Sequence, residues 1–303
     1  MKDDSGTTHT RFILRAAISA LVTLFALALV LLGASHTLPA EAALLYSSNR
    51  MGIVDLYTAD TDRGIHVNLT HSENWNGSPS HSPDNAQIAF SSRRDGNAEI
   101  YLMDAIGRNI RRLTYNPGRD VDPIWSPDGS CIAFVSDRDG NWEIYVMRAD
   151  GTNPQRLTHN EVEDHSPSWS PDGTELVYVS YERGNLAIFT MNADGSRHRV
   201  LMADQRGRFL DPAWSPDGTQ IAFASDRRGR NIEIWIMNAD GTNMQRLTQE
   251  PAMDTNPAWS LDGSTLLFES WREGNLEIYR MRADGSDVRR LTYNAAHDSD
   301  PAP

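Results

Sequence analysis

At 303 residues, with 28 Lys and Arg against 41 Asp and Glu, the chain carries a formal net charge of −13. Residues 1–42 balance Lys2, Arg11 and Arg15 against Asp3, Asp4 and Glu41, so the whole excess belongs to residues 43–303. Such a surface excludes nucleic acid and anionic lipid, which demand basic patches, and favours cations or basic protein segments. The single cysteine, Cys131, excludes an intrachain disulfide; set among apolar residues, it reads as a small core residue.

In chain order, the first element is a targeting segment. Arg11 and Arg15 precede an uncharged stretch from Ala16 to Pro39, and Ala40-Glu41-Ala42 then offers an A-x-A cleavage site. The apolar run approaches the roughly 20 residues that span a bilayer. A cleaved signal peptide and a retained membrane anchor both fit residues 1–42. Either way the remainder is expected to be exported, with the basic end inside, and to work in the periplasm or on the extracytoplasmic face of the membrane.

From residue 43 onward the chain repeats. Pro79, Pro123, Pro167, Pro212, Pro257 and Pro301 recur at steps of 44, 44, 45, 45 and 44 residues. A fixed period in this range marks a solenoid, propeller or array. The clearest copy, 123–158, predicts four short strands. Strand A is Pro123 to Ser126, ended by Pro127-Asp-Gly129; strand B is Cys131 to Ser136, ended by Arg138-Asp-Gly-Asn141. Strand C is Trp142 to Arg148, ended by Ala149-Asp-Gly151, and strand D lies around Gln155 to Thr158. Asp-Gly between apolar runs is a strong hairpin signal, because glycine supplies the positive φ of the turn. Strands B and C are apolar on both faces, which requires a neighbour above and below each blade. Four-stranded units around an axis supply that neighbour, so the fold class is all-β: a six-bladed β-propeller over 43–303 with antiparallel blades. The copy at Ala43–Thr70 lacks strand A, and Asp298 to Pro303 matches a strand A with nothing after it. The C-terminal strand is therefore expected to complete the N-terminal blade and close the ring, removing the exposed edges. Both termini then lie at the missing A–B turn, and a retained anchor would hold the Asp-Gly-turn face toward the membrane.

These motifs resemble the repeats of TolB-type propellers. The matching pieces are Trp-Ser-Pro-Asp-Gly, Ser-x-Arg-x-Gly, Glu-Ile-Tyr-x-Met, Ala-Asp-Gly and Arg-Leu-Thr, repeated through 43–303. The resemblance implies an exported six-bladed propeller whose channel mouth receives a partner's peptide or a cation. It also implies a bacterial envelope complex containing a peptidoglycan-associated lipoprotein. TolB-type proteins carry an N-terminal α/β domain as well; here the repeats start within a few residues of Ala42, so none is expected.

Ahead of most of the repeating prolines stands a polar pair with period two: Asn76/Ser78, Asp120/Asp122, Asp164/Ser166, Asp254/Asn256 and Asp298/Asp300. The fifth blade departs, with Phe209/Asp211. Period two points both members the same way, so Asp120, Asp122, Asp164, Asp211, Asp254, Asp298 and Asp300 are expected to ring the channel mouth as a ligand site. Carboxylates on a narrow channel concentrate negative potential and suit a basic peptide or calcium. The same aspartates could instead accept hydrogen bonds that hold blade to blade. Trp75, Phe209 and Trp271, in loops or at their edges, are candidate contact aromatics, and His165 and His297 lie near the same mouth.

Two further slots recur. One holds Arg50, Arg94, Arg138, Arg227 and Arg272 after strand B; the other holds Asp55, Glu99, Glu143, Glu233 and Glu277 in strand C. Blade 4 loses both, with Glu182 and Ala187, so the slots are expected to pair across the hairpin as exposed salt bridges. The aromatic slot Trp125, Trp169, Trp214 and Trp259, with His81 in blade 2, is expected to pack blades together. No Gly-x-Ser-x-Gly elbow or His-Glu-x-x-His occurs. The sequence thus reads as an exported, monomeric, non-catalytic binding propeller with a scaffold role; the alternative is a metal-dependent hydrolase, lactonase or lyase using the channel.

Overall fold

The computed structural model describes residues 43–227, 229 and 231–303. The expected signal or anchor at 1–42 lies outside them. Among the described residues no helix is long and apolar enough to cross a membrane.

Among the described residues, twenty-four strands form six four-stranded sheets. Blade 3 shows the pattern. Its innermost strand, Asp120–Trp125, is followed outward by Cys131–Ser136, Glu143–Arg148 and the two-residue strand Gln155–Arg156. All neighbours run antiparallel. In blade 1 the innermost strand is Asp298–Ala302, paired with Ala43–Ser48 so that Leu45 faces Ala302 and Ser48 faces Asp298. The last strand of the chain closes the ring, as the sequence predicts.

The two-sided apolar strands explain the stacking. Ile132, Ala133, Phe134 and Val135 are all fully buried. Ile132 and Phe134 meet Ala89, Ile100 and Leu102 of blade 2, whereas Ala133 meets Leu176 and Tyr178 of blade 4. Six such clusters sit between successive blades, the last joining Leu267 and Ile278 of blade 6 to Leu44 and Tyr46 of blade 1. Burying one of these large side chains contributes about 1.5–3 kcal/mol. The turns seal the seams: Gly151 has φ +90°, and a Cβ there would sit 2.9 Å from the Leu113 carbonyl of the blade before. The tryptophan slot packs as expected. Trp169 and Trp259 donate their indole N–H to Ile124 and Ala213 carbonyls of the preceding blades.

Blade 4 departs from the rest. Its central hairpin, Glu175–Glu182 with Asn185–Asn192, has eight-residue strands where the other blades have six. Arg183 and Gly184, with φ 53° and 84°, make its two-residue turn, the geometry that matches strand twist.

Candidate functional site

The channel is built by one residue per blade. Ser78, Asp122, Ser166, Asp211, Asn256 and Asp300 each precede the repeating proline, and each has φ between 48° and 53°. A left-handed non-glycine residue costs about 1–3 kcal/mol, and such strain clusters at functional sites. Here it repeats around the axis. Each innermost strand also slips register at this point, as between Val121 and Ile124. This bulge overturns the expectation that both members of a polar pair point the same way. Only the second member faces the channel.

The first members turn into the blades. Asn76, Asp120, Asp164, Phe209, Asp254 and Asp298 are all fully buried. The channel ring therefore holds three carboxylates, Asp122, Asp211 and Asp300, alternating with neutral Ser78, Ser166 and Asn256. The ring is knitted from blade to blade. Ser78 Oγ donates to Asp122 at 2.7 Å, and Ser78 N–H donates to Asp300 at 3.1 Å. Ser47 also donates to Asp300, and Ser166 donates to Asp211 at 3.3 Å. From this ring a channel of about 640 Å³ extends to Pro83, Asn85, Pro127 and Leu261 in the A–B turns, and among the described residues its lining carries no Lys or Arg.

One carboxyl of the site escapes the pair pattern. Glu269 lies on strand B of blade 6, where the other blades place Ser47, Ser91, Val135, Val179 and Ala224. Aligning the repeats exposes it as the one acid in a slot of small or apolar residues. It is 7% exposed. Its Oε1 accepts from Asp300 N–H and Asn256 Nδ2, both at 2.8 Å, and Thr255 donates to Oε2. Burial, reinforced by the charge of Asp300, pushes its pKa up to about 8. Burial likewise raises Asp122 and Asp211, with the neighbouring ring acids adding to it. Among the described residues no three His, Cys, Asp or Glu side chains come together as a metal-binding group.

The expected pairing of the two charged slots is also corrected. The arginines after strand B bind the buried first members: Arg50 with Asp298 at 3.0 Å, Arg138 with Asp120 at 2.7 Å, Arg272 with Asp254 at 3.0 Å, and Arg94 with Asn76 Oδ1. The strand C acids instead take the arginine of Arg-Leu-Thr, as in Arg112–Glu99, Arg156–Glu143, Arg246–Glu233 and Arg290–Glu277. Cross-strand register decides this, since Tyr145 faces Arg156 while Glu143 faces Ser136 beside Asp120. These are buried acids with arginines 16–28% exposed, not exposed pairs. In blade 5, where Phe209 replaces the aspartate, Arg227 turns to Asp204 at 3.0 Å.

The candidate aromatics separate. Phe209 is fully buried against Phe223, with ring centroids 5.8 Å apart, because its slot points into the blade. Trp271 is 40% exposed and packs against His297 with ring centroids 5.0 Å apart and planes tilted by 48°. Trp75 is half-buried beneath Arg93. His165 leans on Trp142. None of these five residues lines the channel.

The TolB beta propeller domain family matches residues 37–201 and, overlapping them, 149–302. TolB from Acinetobacter baumannii is similar at 24% identity and a TM-score of 0.76, over 86% of this chain and 66% of that one. This chain thus spans just under two thirds of that protein's length. The putative TolB from Agrobacterium tumefaciens is similar at 23% identity and a TM-score of 0.69, over 82% and 88%. An oligogalacturonate lyase in complex with manganese is similar at 19% identity and a TM-score of 0.57, over 82% and 72%. At these identities the likeness is one of fold. No curated protein matches the chain.

Proposed function

Since this chain belongs to the TolB beta propeller domain family, we propose that it is an exported, non-catalytic binding module of the cell envelope that takes a basic segment of a protein partner into its channel. Residues 1–42 deliver it, as a cleaved signal or as an anchor, and the propeller serves as scaffold. The observation that carries this reading is the channel itself. Asp122, Asp211 and Asp300, backed by Glu269, stand at one end of a cavity whose lining, among the described residues, holds no Lys or Arg. Uncompensated carboxylates in a confined channel attract positive charge over a distance and hold it once water is displaced. The neutral serines and asparagine between them supply donors and acceptors for a peptide backbone.

The test is titration of the full chain with an Arg- and Lys-rich peptide, beside the same peptide with Glu in place of its basic residues. Binding is expected for the basic peptide alone and weakens with salt. The combined Asp122→Asn, Asp211→Asn and Asp300→Asn variant should lose affinity by at least roughly tenfold, about 1.4 kcal/mol, with its melting temperature checked in parallel. Unchanged affinity in a folded triple variant sinks the reading. Calcium added to chelator-treated protein forms a third arm. Displacement of the peptide by calcium would make the ring a cation site first. The mass of the exported protein, short by residues 1–42 or not, decides between signal and anchor.

A further inference from the structure

Blade 4 keeps the receiving half of an arginine site and has lost the arginine. In blade 3, Arg138 gives Nε to Ser136 Oγ at 2.8 Å and Nη2 to Asp120 at 2.7 Å. Its Cζ lies 4.7 Å from the Tyr145 ring centroid. Arg50 repeats this on Ser48, Asp298 and Tyr57, and Arg272 on Ser270, Asp254 and Tyr279. Blade 4 retains the three receiving groups as Asp164, Ser180 and the Phe189 ring, while Glu182 occupies the arginine slot.

Asp164 is fully buried. Asn160 donates to its Oδ2 at 2.7 Å and the Ser180 and Thr158 hydroxyls stand beside the carboxylate, but the arginine that answers this charge in blade 3 is replaced by Glu182. A buried carboxylate left this way is costly, and an incoming cation would recover that cost. Space for one exists. Where blade 3 has Glu143, Arg156 and Thr158, blade 4 has Ala187, Val200 and Met202. A cavity of about 280 Å³ opens there, lined by Glu182, Arg183, Asn185, Ala187, Val200 and Asp204 among others, with Asp164, Ser180 and Phe189 lying just beyond its wall. Strand register puts this cavity on the Asp164 side of the blade. Ser180 faces Ala187, Phe189 faces Val200, and the pairing of His165 with Val179 sets Asp164 beside Ser180. Cross-strand partners share a face, as do residues two apart. At the rim Arg183, 77% exposed, turns only to Glu182 at 3.2 Å, and Asp204 is held by Arg227.

We propose that the blade 4 cavity binds a guanidinium supplied in trans. The guanidinium stacks on Phe189, donates to Asp164 and Ser180, and meets Glu182 as a second carboxylate at the rim. A guanidinium fits better than an ammonium, because a planar fork can reach a carboxylate and a hydroxyl at once while lying flat on a ring. The site is separate from the channel. Its ligand chemistry has two sources, a free guanidino compound or an arginyl side chain of another protein.

The experiment titrates the full chain with three probes: N-acetyl-arginine amide, its neutral isostere N-acetyl-citrulline amide, and the peptide Gly-Ser-Arg-Ser-Gly. Saturable binding of the arginine probe, at least tenfold tighter than the citrulline one, is expected. Tighter binding of the peptide identifies a protein side chain as the source, and tighter binding of the free amide identifies a small molecule. Glu182→Arg refills the slot from within, so it should abolish binding while raising the melting temperature. Asp164→Asn should weaken binding at least tenfold, and Glu73→Gln, on an exposed loop between blades 1 and 2, should leave it unchanged. The proposal is overturned by the absence of saturable binding, by equal binding of the citrulline probe, by wild-type affinity in Glu182→Arg, or by loss of binding in Glu73→Gln.

Discussion

Blades 3 and 4 are neighbours cut from one pattern, and they solve the same burial problem in opposite ways. Each places an aspartate, Asp120 or Asp164, in a fully buried slot of its innermost strand. Blade 3 answers with Arg138 and builds a second pair, Arg156 with Glu143. Blade 4 has neither arginine nor that glutamate, lengthens its hairpin, and leaves a cavity. The contrast separates two uses of one residue type. A charge that recurs with its counter-charge around the ring belongs to the scaffold; a charge that recurs without one marks a place where something else must bind or protonate. Asp164 is of the second kind.

The comparison can be broken most forcefully in blade 3. Arg138→Ala strands Asp120 in the interior and should cost about 3–5 kcal/mol, the usual consequence of removing one partner of a buried pair. The corresponding Glu182→Ala in blade 4 should cost almost nothing, and urea unfolding of both variants measures the difference. Comparable losses would show that the blade 4 slot also carries a needed charge. Next in size, Glu182→Arg should stabilise the fold by about 0.5–2 kcal/mol, the range typical of a single repaired position, seen as a higher urea midpoint with an unchanged slope.

A pH series sharpens the point at Glu269. Its folded pKa of about 8 lies above the ordinary 4.5. The folded state therefore binds the proton more tightly, and the stability this lends is complete below pH 4.5 and lost as pH rises through 8. The melting temperature should drift down across that window, and Glu269→Gln should flatten the drift; an identical drift in the variant would assign it to other groups. The smallest effect is expected at the surface pair Arg119–Asp137, 2.7 Å apart but with Arg119 51% exposed. Arg119→Ala should change stability by only about 0–1 kcal/mol, with no difference at high salt.

Most of the fold was legible because period and turn chemistry repeat. Asp-Gly turns, two-sided apolar strands and an orphan strand at the C-terminus dictate blades and closure without any long-range information. The site was legible by position more than by direction. The aspartates before the prolines do gather near the axis, but the left-handed backbone at residues such as Asp122 swings one member of each pair into the channel and its partner into the blade. An alternation rule cannot foresee that swing. Phe209, read as a loop-edge aromatic, fills an inward slot instead, and the joint loss in blade 4 that matched Arg138 with Glu143 gives way to register, which hands Arg138 to Asp120. Glu269 was visible in principle, as the one acid in its column of the repeat.

The pairing of Ser48 with Asp298 joins residues 250 positions apart, and it gives the chain an order of events. No circle can form until the strand Asp298–Ala302 has been synthesised, so a nascent chain holds an unfinished blade 1 until that strand emerges. Contacts of such long sequence separation form slowly. An open, late-shutting chain is also one that can still be threaded. Arresting synthesis at residue 297 should leave residues 43–48 open to protease, and release of the last strand should close that window abruptly. Early protection in the arrested chain would instead mean that the other blades hold the ring shut without its clasp.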